Sequence, residues 1–203
     1  MLMHLRFSQE LKSLLEQLAE RPLTLQEMLA ETSERGFSLM IGLLVLPFLL
    51  PMPPGLTTIL GPGCLLISLQ MALGRTAPWL PQKLAHFQFP KLLTQQLLSS
   101  LKRVTRLLER VVRPRWGRIA ESAHIAQING LCISWLTILL MTPVPMTNPI
   151  PTVGILLFVI AMLEADGLLM CIGYLFTLAT TGIFGVMIYI LWRAPEMIQR
   201  LMS

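Results

Sequence analysis

Two proline clusters break the apolar stretches of this chain, each with polar side chains beside it. The first cluster is Pro51, Pro53, Pro54 and Gly55, with Thr57 and Thr58 directly after it. The second runs from Thr142 through Pro143, Pro145, Thr147, Asn148 and Pro149 to Pro151. Each proline lacks a backbone donor and frees the carbonyl four residues earlier. Freed carbonyls, hydroxyls and a carboxamide are groups that could hold a small ion or a polar solute. Irregular backbone at membrane depth is tolerated only where it is buried in protein or lines a watery cavity. The plainer alternative is that the threonines and Asn148 cap loosened helix ends.

Two further sets of residues carry charge or hydrogen-bonding capacity. Arg75, Glu164 and Asp166 fall at equivalent ends of the two broken stretches, where a salt bridge across a mouth and simple flanking charges are equal alternatives. Gln70, one turn before Gly74, is placed to hydrogen-bond across helices. Lys102, Arg103, Arg106, Arg110, Arg113, Arg115 and Arg118 form a basic set that suits an anionic lipid headgroup, a nucleotide or plain solvation. A catalytic reading finds no support: His4, His86 and His124 are scattered, and no glycine-rich phosphate loop follows a strand. Cys64, Cys132 and Cys171 lie in apolar runs without ligand or disulfide spacing, as small buried hydrophobes do. No enzyme activity, metal or cofactor is expected.

The elements that must position these residues belong to a bilayer. Of 203 residues, 54% are hydrophobic and 13% charged, against about 25% charged in a soluble domain. The mean hydropathy is +0.65. Spanning the hydrocarbon core takes about 20 apolar residues. Phe37–Leu50 and Thr152–Leu163 are shorter than that, while Leu56–Leu73 and Ile125–Met141 are marginal. Leu168–Trp192 is long and uncharged, with Tyr189 and Trp192 placed for an interfacial belt. Leu2–Glu34 mixes Arg, Lys and Glu without an apolar run, so no cleavable signal is expected there.

The spacing predicts amphipathic helices in 1–36, the second opening on the capping box Thr24-x-x-Glu27. A first broken hairpin follows at 37–74 and a basic loop at 75–118. A second broken hairpin covers 119–167, a spanning helix 168–192 and a short tail 193–203. The loop holds ten of the 16 Lys and Arg residues and a single acid, Glu109, which places it in the cytoplasm by the positive-inside rule. Within it, 91–113 reads as an interfacial helix, with Leu97, Leu101, Val104 and Leu108 opposite the basic face. The N-terminus and Glu164–Gly167 are then cytoplasmic, the two breaks point inward or to the far side, and the last helix ends outside. A shift of 92 residues lays Pro51 on Pro143 and Pro53 on Pro145, which suggests an internal duplication.

The stretch ERGFSLMIGLLVLPFLLPMPPGLTTILGPGCLLISLQMALGRTAPWLP (Glu34 to Pro81) resembles the signature region of the bacterial exopolysaccharide-synthesis ExoD family. The Glu-Arg-Gly opening, the proline-glycine break, the helix with an internal Gln and the Gly-Arg…Pro-Trp-Leu-Pro ending carry the likeness. The later P-x-P…N…P segment and the Leu163–Gly167 turn add to it, while the surroundings of Phe87–Phe89 and Trp116 depart from it. The resemblance implies a small bacterial integral membrane protein linked to exopolysaccharide production and to tolerance of alkaline conditions.

The expectation is therefore an all-α polytopic protein of the bacterial inner membrane, with two Pro/Gly-broken hairpins and a C-terminal transmembrane helix. A transporter-like or channel-like role is the leading reading. The alternative is a non-transporting module that binds anionic lipid, a nucleotide or an assembly partner through its basic loop. Expected partners are membrane lipids, a small ion or anionic ligand, and further copies of the chain, because five short helices make a thin wall. Nucleic acid is not expected. No GxxxG pair marks an oligomer interface.

Overall fold

The computed structural model describes residues 36–49, 56–81, 122–142 and 147–202. Every regular element among them is helical: α1 (Gly36–Val45) with a 3-10 turn at Leu46–Leu49, α2 (Leu56–Ala72), α3 (Ala123–Met141), α4 (Pro149–Leu163) and α5 (Gly167–Met202). The amphipathic helices expected in 1–35 and 91–113 lie outside the described residues.

Local chemistry sets the ends of these helices. Pro47 cannot donate to the carbonyl of Leu43, and α1 tightens into the 3-10 turn around it. α2 accommodates Pro62 inside the helix, on an exposed face. At its C-terminus Gly74 adopts φ +75°, the Gly74 N–H bonds the Met71 carbonyl at 3.0 Å, and the Arg75 N–H bonds the Gln70 carbonyl at 3.1 Å. That is a Schellman motif. α3 starts on Ser122, whose hydroxyl accepts the Ile125 N–H at 3.4 Å. α4 starts on Pro149, so Pro149–Pro151 form its first turn; the second break is shorter than the proline spacing implies. α4 ends as α2 does, with Ala165 at φ +52° and the Asp166 N–H on the Ala161 carbonyl at 2.9 Å. α5 runs past Trp192, where the apolar pattern stops, to Met202.

The two caps match one another at a spacing close to that of the prolines. Gly74 pairs with Ala165, and Arg75 with Asp166, at a shift of 91 rather than 92. In this register Gly63 falls on Gly154. The packing repeats as well: α1 lies against α2 and α4, and α3 lies against α4 and α2, closing a ring of four helices. α5 packs outside the ring on α4 and α3.

α2 and α3 run antiparallel along a seam of small side chains. Gly61 faces Met141, the Cys64 thiol lies 3.5 Å from the Thr137 hydroxyl, and the Ser134 hydroxyl lies 2.9 Å from that of Ser68. At Gly130 the backbones nearly touch: a Cβ there would lie 2.5 Å from the Ala72 nitrogen. Small residues four apart, Ser68 with Ala72 and Gly130 with Ser134, permit this approach. α1 has no outward face; Leu39 to Leu46 and Phe48 are all buried. Among the described residues, two helices are long and apolar enough to cross a membrane, α3 and the Gly167–Ile190 part of α5.

Candidate functional site

The α2–α3 seam and the contacts of α5 with α3 and α4 fix the directions of these four helices, so the described residues singled out by the sequence fall at two opposite ends of the bundle. The near end holds the end of α2, the start of α3, the end of α4 and the start of α5. The far end holds the flanks of both proline breaks, as the contact of Gly61 with Met141 requires.

At the near end, Gln70 is 5% exposed and its carboxamide is fully engaged. Its Nε2 donates to the Leu66 carbonyl at 3.2 Å and to the Trp79 carbonyl at 2.8 Å, while its Oε1 accepts the Trp79 N–H at 2.7 Å. The side chain does not bridge to another helix, as its spacing suggested. It acts as a substitute strand partner for Trp79 and straps the segment after α2 against the bundle, with Pro78 and Leu80 buried and the indole of Trp79 exposed. The physical reason is the cap at Gly74, which reverses the chain and carries Trp79 back past its own helix.

Asp166 is 2% exposed, and its Oδ1 accepts the N–H groups of Leu168 at 3.1 Å and Leu169 at 3.2 Å. It is the N-cap of α5, with its negative charge on the positive end of the helix dipole. Glu164 closes α4, half-buried, and Arg75 is exposed. These three ends and Gln70 are thus brought to one region of the molecule.

At the far end, Pro51, Pro53, Pro54, Gly55, Pro143 and Pro145 lie outside the described residues. Thr57 and Thr58 fall in the first turn of α2, with Thr58 exposed. The Thr142 hydroxyl bonds the Ile138 carbonyl at 3.3 Å, closing α3. Thr147 and Asn148 are half-buried ahead of the exposed Pro149. Asn148 makes no side-chain bond to its helix, and its carbonyl receives the Thr152 hydroxyl at 2.7 Å. The basic set Lys102, Arg103, Arg106, Arg110, Arg113, Arg115 and Arg118 also lies outside the described residues.

Two interhelical links were missed by reading the sequence. Asn129, fully buried in α3, accepts the Tyr174 hydroxyl at 2.6 Å and reaches the Met170 sulfur at 3.6 Å. Tyr174 in turn leans on Phe158, ring centroids 5.2 Å apart. Further along, the Trp135 indole N–H donates to the Thr181 hydroxyl at 2.9 Å. The available signal was an isolated Asn and Trp inside an otherwise apolar helix, each needing a partner.

A family model described as "Exopolysaccharide synthesis, ExoD" matches residues 7–186. Protein ExoD of Rhizobium meliloti is 38% identical over 181 residues, covering 86% of this chain and 74% of that protein. The chain belongs to the ExoD family. An uncharacterized protein of Synechocystis sp. is 27% identical over 187 residues, covering 91% of this chain and 88% of the other. No solved structure matches. The ExoD match takes in α1 to α4 and most of α5, so the ring, the Gln70 strap and the Asp166 cap all fall within the family region.

Proposed function

We propose that this ExoD-family chain is a multi-pass inner-membrane protein of transporter-like or channel-like build, serving exopolysaccharide production or ion balance under alkaline stress. The observation that carries the reading is the ring of two like helix pairs, with the flanks of both proline breaks at one end. Paired interruptions in repeated halves are where membrane carriers build binding sites from backbone groups. In this reading the near end and the basic loop face the cytoplasm. The chain acts without enzyme chemistry, and Thr142, Thr147 and Asn148 form part of the path a solute follows.

The seam between α2 and α3 bears on where such a path can run. Backbone contact at Gly130 and Ala72 closes that route, so passage would skirt the far-end breaks or a boundary between copies. The same closure supports the second reading, a non-transporting module that engages anionic lipid or an assembly partner through its basic loop. Purified protein in liposomes loaded with a pH-sensitive dye separates the two. Proton- or cation-driven dye change above protein-free liposomes supports transport. Protein that is monodisperse, correctly inserted and silent under every ion gradient removes that reading. Liposome association that falls on reversing Arg106 and Arg110 to Glu then supports the second.

A further inference from the structure

α5 provides a ruler across the molecule. At 1.5 Å per residue the stretch from Asp166 to Arg193 is about 40 Å, the thickness of a bilayer with its headgroup regions. Among residues whose side chains are described, the charged ones are Arg75, Glu164 and Asp166 at the near end and Arg193 at the far end. The outward surface between them is apolar and exposed, as at Leu131, Ile138, Leu175, Leu178 and Ile183. Charge at both rims and none between is the complement of a bilayer's own profile.

The tryptophans agree with this ruler. Trp192 is exposed at the far rim, one turn from Tyr189, over which the Arg193 guanidinium sits at 5.7 Å. There an indole N–H meets water and headgroups. Trp135 is 43% exposed on the apolar belt, yet its N–H is satisfied by Thr181. That bond lies about 22 Å from Asp166 and about 18 Å from Arg193 along α5. An indole in the middle of the hydrocarbon has no water to bond, so a protein hydroxyl must serve.

α4 is built to begin at depth. It packs antiparallel on α5, with Gly154 against Phe176 and Gly173 against Phe158. Carried forward, that register sets Asn148 level with Gly182 and Ile183, about 15 Å short of Arg193. A helix start ordinarily exposes orphan N–H groups. Here Pro149 and Pro151 have none, the Ile150 N–H bonds the Thr147 carbonyl at 3.1 Å, and the Thr152 N–H bonds the Asn148 carbonyl at 3.2 Å. The first turn strands no backbone donor, and the Asn148 carboxamide makes no bond to its helix.

Resting on the membrane reading above, we infer that the bilayer is centred near the Trp135–Thr181 bond, so that α4 begins inside the far leaflet and its Asn148 carboxamide meets water there. The membrane partner is the acyl region of an ordinary bilayer.

Full-length single-tryptophan variants, with the other tryptophans changed to Phe, test the centring in vesicles of lipids brominated near the acyl terminus or near the headgroup. The expected result is that Trp135 is quenched more by deep bromines and Trp192 more by shallow ones. Asn148→Cys in a cysteine-free background tests the depth of the α4 start. The expected thiol reacts with a small charged methanethiosulfonate from the far side and resists a polyethylene-glycol maleimide. Equal reaction with both reagents places the start of α4 at the surface and overturns the inference, as does no reaction with either. Vesicle-inserted protein whose Trp135 is quenched chiefly by shallow bromines overturns the centring alone. Protein in which no tryptophan is quenched by either lipid is not inserted, and the membrane reading itself fails.

Discussion

At Gly74 α2 ends with φ +75°, and at Ala165 α4 ends with φ +52°; each is followed by a residue whose N–H closes a Schellman motif. The residue after the left-handed position is Arg75 in one hairpin and Asp166 in the other. Arg75 stays exposed and the chain turns back under Gln70, whereas Asp166 is buried as the cap of the next helix. One stopping device therefore serves two exits. In the first, a helix is followed by a strap, which needs a side chain to hold it because no regular element does. In the second, helix follows helix at once, and a carboxylate satisfies the new N-terminus. The two caps share a geometry, and what differs is the use each exit makes of the residue that follows.

The largest effect is expected where the two halves join. Gly130→Ala would place a Cβ 2.5 Å from the Ala72 nitrogen, 2.9 Å from its Cα and 3.0 Å from the Ser68 carbonyl. Those atoms are backbone and cannot rotate away, so the helices must separate, at a cost of about 3 kcal/mol. Detergent melting and the yield of monodisperse protein measure this. Gly61→Ala on the same seam meets only the flexible Met141 side chain and should melt nearer the parent. Equal stability of Gly130→Ala and the parent would mean that the halves are not held by this seam.

Asp166→Ala comes next. It strips two N–H groups of a buried acceptor and should cost about 2 kcal/mol, in the range of a lost cap with a charged partner. Asp166→Asn keeps a carbonyl oxygen at the cap and should recover most of the loss. If the alanine variant melts like the parent, Asp166 is not what starts α5.

Helix identity and the placement of polar punctuation were legible in the sequence because helix ends follow local rules. Gly74 and the proline runs sit at or beside ends on their residue type alone. Ala165 shows the limit: an alanine in the left-handed region has no sequence signature. Gln70 was legible as buried but not as a strap, because its partner is the backbone of Trp79, and backbone carries no sequence signal. The α2–α3 seam was hidden for a related reason. Its residues are small rather than distinctive, and Ser68, Ala72, Gly130 and Ser134 acquire meaning only as facing pairs. At the candidate site the sequence supplied the breaks, while the fully paired donors in the first turn of α4 required knowing that the helix begins at Pro149 rather than after Pro151.

Gln70→Leu separates the strap from the stopping device. The Schellman bonds use only backbone and remain, while both bonds to Trp79 and the one to the Leu66 carbonyl are lost. The freed polar groups of Trp79 can reach water at the near end, so the expected loss is about 1 kcal/mol, at the lower end for paired polar groups. The strap itself should loosen. Limited proteolysis between Arg75 and Pro81 should quicken, with the rest of the bundle unchanged; unaltered cleavage would show that Pro78 and Leu80 hold the segment by packing alone.

The smallest effect is the most direct test of the shared device, because the two hairpins should answer in opposite directions. A left-handed residue with a Cβ costs about 1 kcal/mol relative to glycine. Gly74→Ala adds that cost, and its new Cβ would lie 2.5 Å from the Gln127 amide nitrogen, the mobile tip of a side chain that can swing aside. Ala165→Gly removes the cost, less the few tenths of a kcal/mol by which glycine frees the unfolded chain. Melting should fall in the first variant and rise in the second, and the double variant should lie near the parent, because the sites sit on different hairpins and share no partner. Two shifts of the same sign would mean that the caps are alike in geometry only, with one of them held by its surroundings rather than by its own backbone.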